Sequence, residues 1–264
     1  MLNPELNLFE KIKIAHKANF HGIEPWMNEF EKISKKDLVK CCEDYGIEIK
    51  TSIAIKGYFE NDGELMDVAD DHEIIFEECK RRMELSVEIG AKWIIVCPAF
   101  SNRNHETTWE QSIDYYKKLY DLGKKIGCEP TLEFIGATKQ IYNFKLCKKF
   151  LDHISHETTM VIDAYHLWRG GGGMDDFCDF APERISCLHI SDADKLISCE
   201  LHRDRDRVMP LDGKIDLKVF AETAKKIGYK SFVNAGVYNP KLWEMDQLDM
   251  AKLCMERMVM IFEE

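Results

Sequence analysis

A chain of 264 residues, 45% hydrophobic and 31% charged, has the length and composition of a globular protein with a sizeable core. Its formal net charge of -11 sets the surface against phosphate backbones, so nucleic acid is not an expected partner. No apolar run reaches the roughly 18 residues of a membrane span, no signal peptide follows Met1, and the ten cysteines include the adjacent pair Cys41-Cys42 but no Cys-x-x-Cys; reduced thiols in a cytoplasmic protein are expected.

In chain order, Met1 to Pro4 leads almost directly into a helix over Leu8 to Asn19, and an apolar run follows at His21 to Trp26. Further apolar runs lie at Ile47 to Ile55, Trp93 to Pro98, Thr131 to Ile135, Met160 to Tyr165, Ile185 to Ser191 and Ser231 to Tyr238. Between them, stretches such as Ile74 to Ile89 and Thr108 to Ile126 carry apolar residues every three or four positions, the helical period. Four helical patterns stop at a glycine followed by an apolar residue, at Gly46, Gly90, Gly127 and Gly228. That punctuation marks a helix C-cap leading into a buried parallel strand.

Alternating strands and helices over residues 1–264, with no linker or repeat, predict one α/β domain, a (β/α)8 TIM barrel. Seven strands are countable where eight are needed. The first is lacking or truncated. A dinucleotide fold is disfavoured, because no glycine-rich phosphate loop follows an early strand.

Active sites of such barrels form at the C-terminal ends of strands. There the sequence places Glu133 in Thr-Leu-Glu-Phe-Ile-Gly, Asp163 and then His166 in Val-Ile-Asp-Ala-Tyr-His, and His189 in Cys-Leu-His-Ile-Ser-Asp. Buried carboxylates require a compensating cation or partner. Two carboxylates and an imidazole on consecutive strands suit one divalent metal, Mn, Mg, Co or Zn.

These segments, with Asp206-Arg207-Val208-Met209-Pro210, Gly213 and Ile215-Asp216-Leu217, resemble the xylose isomerase-like barrel family, and within it the inosose isomerase and sugar epimerase branch. The resemblance implies metal ligands at Glu133, Asp163 and His189, and substrate contacts from His166 and Arg207. It also implies a reaction on a small sugar or cyclitol: the metal polarises a carbonyl, Glu133 removes the adjacent proton, and an enediolate is reprotonated. One position departs from the pattern. Where the family carries a fourth ligand, a glutamate on strand eight, this chain has Gly236, with Asn234 two residues earlier on the same face.

Glu24 contacts substrate or rims the pocket, and Trp168 with Tyr165 forms either an apolar wall against a sugar ring or core packing. The run Arg169 to Gly173 lacks the Lys-Ser/Thr of a phosphate loop and reads as a loop over the barrel mouth. The methionine-rich helix Met250 to Phe262 reads as core packing or a homo-oligomer contact. The expected function is a metal-dependent keto-sugar or inosose isomerase/epimerase. The alternatives are a lyase-type member, such as an inosose dehydratase or C-glycoside-deglycosylating enzyme, and a catalytically degenerate sugar-binding relative.

Overall fold

The structure, a computed structural model, describes residues 2–56, 72–98 and 108–263. Asn7 opens α1 (Leu8–Lys17) with a capping box, its side chain accepting from the Glu10 N–H while Glu10 reaches back to the Asn7 N–H. After α2 (Met27–Phe30), α3 (Lys35–Tyr45) ends on Gly46 at φ 62, a left-handed conformation that a side chain would disfavour. The chain then alternates through β1 (Thr51–Lys56), α4 (His72–Glu88), β2 (Trp93–Cys97), α5 (Trp109–Ile126) and β3 (Glu129–Glu133). It continues with α6 (Phe144–Asp152), β4 (Thr159–Asp163), α7 (Ala164–Arg169) and β5 (Ile185–Ile190). Two short strands, β6 (Asp192–Ala193) and β7 (Arg207–Val208), precede α8 (Leu217–Lys226), β8 (Phe232–Ala235), α9 (Pro240–Trp243) and α10 (Gln247–Phe262).

Six strands form one parallel sheet in the order β1-β2-β3-β4-β5-β8. The run His21 to Trp26 extends it beyond β1 through parallel bridges Gly22–Glu48 and Trp26–Ile53. Side chains alternate across this sheet. Met160, Ile162, Leu188 and Ile190 face the helices in the main core. Ile53, Ile95, Val161 and Cys187 form a smaller apolar cluster on the inner side. The architecture is that of the expected TIM barrel; among the described residues, no strand lies between β8 and the His21–Trp26 run.

That gap is a cavity of about 880 Å³. Leu8 and Ala15 of α1 and Met258 and Phe262 of α10 line its outer part, while Ile53, His189, Asn234 and Tyr238 line its inner part. Within α10, Met250, Cys254 and Met258 are buried, which gives that helix a packing face. All ten cysteines are free thiols, and no helix among the described residues is long and apolar enough to cross a membrane.

Candidate active site

Glu133 is the last residue of β3, Asp163 the last of β4 and His189 the next to last of β5, so the C-terminal strand ends bring the three together. Their exposures are 8%, 2% and 7%, and charges so buried require partners. Glu133 Oε1 lies 3.2 Å from His189 Nδ1. On the other side of the imidazole, Glu24 Oε2 lies 3.1 Å from Nε2, and the second Glu24 oxygen accepts from the Thr51 hydroxyl. Burial disfavours a charged imidazole here, but Glu24, Cys187 and Glu133 outweigh it and hold the His189 pKa well above the usual histidine value.

Asp163 has a different set of partners. It caps α7, accepting from the Tyr165 N–H at 2.7 Å through Oδ1. Its Oδ2 accepts from Arg207 Nη1 at 2.9 Å. Arg207 reaches this point because β7 pairs antiparallel with β6, directly after β5. Its remaining donors meet Asp204, Ser191 Oγ and the Gly236 carbonyl, and the guanidinium lies 4.0 Å from the centre of the Tyr165 ring. Although burial raises the Asp163 pKa, the charges of Arg207, His166 and His189 more than reverse that and leave it below the ordinary aspartate value. His166 meets two donors, Gly136 N–H at Nδ1 and Arg207 Nη2 at Nε2. A neutral ring has one acceptor nitrogen, so only one contact is a hydrogen bond in either tautomer. Burial, with Arg207 adding to it, keeps the His166 pKa below the ordinary value despite Asp163.

Two groups of donors close to within 4.8 Å: Glu133, Asp163 and His166, and Glu24, Cys187 and His189. The expected trio Glu133, Asp163 and His189 is divided between them. Asp163 already accepts from the Tyr165 N–H through Oδ1 and from Arg207 through Oδ2, and Arg207 is itself held by six contacts. In the second group the Glu24 carboxylate faces His189 Nε2 at 3.1 Å, and that buried nitrogen makes no well-aimed hydrogen bond.

Of the remaining expected positions, Glu24 lines the cavity. Arg207 is 2% exposed and faces Asp163. Trp168 packs on His202 and Tyr165. At Arg169 to Gly173, Gly170 caps α7, and a Cβ there would stand 2.1 Å from the Tyr142 carbonyl oxygen. Beyond Gly170 the run continues as a turn, with Gly171 exposed and open space where a Cβ would stand. Gly236 leaves room: a Cβ would meet Arg207 Nη1 at 3.6 Å. Sequence reasoning did not find Cys187, Asp204, or the aromatic pair Trp26 and Tyr238, which meet edge to face at 6.2 Å on the cavity wall. For Cys187 a signal existed, because it stands two residues before His189 on the same strand and shares its face.

Known proteins agree with this architecture. The inosose isomerases of Bacillus licheniformis and Bacillus subtilis are 26% and 25% identical over 178 residues, or 66% of this chain. The chain spans 64% of the length of each. Among solved structures, the IolI protein with a binding zinc atom superposes with a TM-score of 0.86 at 20% identity, covering 98% of this chain and 94% of that one. L-ribulose 3-epimerase gives 0.76 at 14% identity, over 97% and 89%. A sequence model of the xylose isomerase-like TIM barrel matches residues 12–254. With that match over nearly its whole length and the fold it requires, the chain belongs to the xylose isomerase-like TIM barrel family.

Proposed function

We propose that the protein is a metal-assisted isomerase or epimerase, moving a proton within a keto-sugar or inosose through an enediolate. The observation that carries this reading is Glu133, a carboxylate at a barrel strand end, nearly enclosed and 3.2 Å from the His189 ring. Glu133 removes the proton beside the substrate carbonyl and returns it to the neighbouring carbon. His189 fixes the orientation of Glu133. Trp26 and Tyr238 present ring surfaces to a sugar or cyclitol in the cavity, and Glu24 on the same wall meets its hydroxyls. Arg207 acts indirectly, by holding Asp163 and His166 in place. A divalent ion, when bound, supplies Lewis-acid polarisation of the carbonyl. Because Gly236 provides no second base, proton transfer along one face is favoured over two-base epimerisation.

The relatives named inosose isomerase support the substrate class. The test is solvent-deuterium incorporation into inososes and ketoses, followed by NMR. Glu133→Gln should slow exchange about 10²–10⁴-fold. Absence of exchange with every keto-sugar and inosose, using protein reloaded with each candidate metal, would refute the proposal.

A further inference from the structure

We propose that Glu24, Cys187 and His189 form a thiolate-containing site for one borderline-soft divalent ion, zinc or cobalt, on the cavity side of the barrel interior. The proposal rests on the metal-assisted reading above and specifies its ligands. The three donor atoms lie within 4.8 Å of one another, with Cys187 and His189 buried and the Glu24 side chain 8% exposed. An independent observation points to a ligand here: His189 Nε2 is buried and makes no well-aimed hydrogen bond, although Glu24 Oε2 lies 3.1 Å away. Buried polar atoms in native proteins are nearly always hydrogen-bonded, and a ring nitrogen that faces a carboxylate beside a thiol, without a well-aimed hydrogen bond, has the setting of a metal ligand.

Charge on the two sides of the barrel supports the same location. Asp163 is paired with Arg207 at 2.9 Å, and the same guanidinium also holds Asp204. Around His189, two carboxylates, Glu24 and Glu133, face a single imidazole. Coordination needs a thiolate and a bare ring nitrogen, so the thiol proton, with any proton on Nε2, would leave to solvent. Thiolate with imidazole and carboxylate selects zinc or cobalt over magnesium, calcium and manganese. Three protein ligands leave a coordination position open, and Glu24 and His189 both line the 880 Å³ cavity, so that position faces the proposed substrate space.

The experiment titrates apo-protein with Co²⁺ and reads thiolate-to-cobalt charge-transfer absorption, with Zn²⁺ competition and elemental analysis after dialysis. One ion per chain is expected, with a thiolate band in the wild type. Cys187→Ala should lose the band and weaken zinc at least tenfold, Glu24→Gln should weaken zinc, and Asp163→Asn should leave the band in place. Tight cobalt binding without a thiolate band overturns the proposal without relying on any variant. Binding that survives Cys187→Ala but fails in Asp163→Asn also overturns it, placing the ion with Asp163. Deuterium exchange separates the two readings: exchange without a thiolate band refutes this site and retains the isomerase, while a band without exchange does the reverse.

Discussion

Replacing Arg207 with methionine keeps the length of the side chain and removes its charge. The guanidinium is 2% exposed and is shared between Asp163 and Asp204. Asp204 is 48% exposed in its side chain and turns to water when released. Asp163 is enclosed and retains the Tyr165 N–H as its hydrogen-bond donor, with His166 Nε2 3.9 Å away. Breaking a buried pair by removing one partner costs about 3–5 kcal/mol, because the other charge stays buried and uncompensated. With an m-value of about 3 kcal/mol/M, the urea midpoint should fall by about 1–1.7 M. The double variant Arg207→Met, Asp163→Asn removes both charges, and asparagine still caps α7. Its loss should be smaller than that of Arg207→Met alone, a coupling of about 2 kcal/mol. Urea unfolding followed by circular dichroism decides the matter. A single-variant loss below about 1 kcal/mol, or losses that simply add in the double variant, would refute the claim that Arg207 balances Asp163.

Other outcomes follow from the same geometry. Gly236→Glu should fold, since its Cβ meets nothing closer than 3.6 Å, and its carboxylate should compete for Arg207, free Asp163 and tighten divalent-ion binding about tenfold, or 1.4 kcal/mol, by calorimetry; unchanged affinity would mean that position 236 does not face the site. Gly170→Ala should cost about 1–3 kcal/mol in urea melts through overpacking against Tyr142, and a neutral result would show that this helix end yields easily. For Asp152, burial raises the pKa, but hydrogen bonds from Lys148 and Arg184 reverse it to below the ordinary 3.8. Its stabilisation is therefore complete above the unfolded value and lost as pH falls through the folded one, so the stability gap to Asp152→Asn should close below pH 3.8 and stay constant at neutral pH. Trp26→Ala should raise KM for a cyclic substrate with little change in kcat; the opposite split would remove Trp26 from the binding wall.

The strands were legible because a parallel sheet buried on both faces writes each strand as an apolar run, and a glycine after each helix marks where it begins. The run at His21 to Trp26 is visible for the same reason, although only two bridges tie it to β1. Glu133, Asp163 and His189 stood out as polar residues at the ends of such runs. Their partners did not. Arg207 finds Asp163 from 44 residues away, through a two-residue strand pair whose register no periodicity reveals. Cys187 reads as a small hydrophobe within an apolar strand, and only its parity with His189 betrays its direction. Trp26 and Tyr238 meet between the His21–Trp26 run and the segment after β8, a contact between the two ends of the sheet that no local pattern reveals.

Gly236 and Arg207 make better sense together than separately. The family resemblance calls for a glutamate at 236, on the same side of the barrel as Asp163. Without it, one guanidinium serves Asp163, Asp204 and the Gly236 carbonyl at once. A second carboxylate at 236 would leave that side in deficit of positive charge and would draw an ion toward Asp163. Near His189, by contrast, Glu24 and Glu133 share one imidazole. Loss of a ligand on strand eight therefore does not imply loss of metal chemistry. Under the proposed site the ion would draw on Glu24 and His189, which line the cavity, and would need no carboxylate at 236.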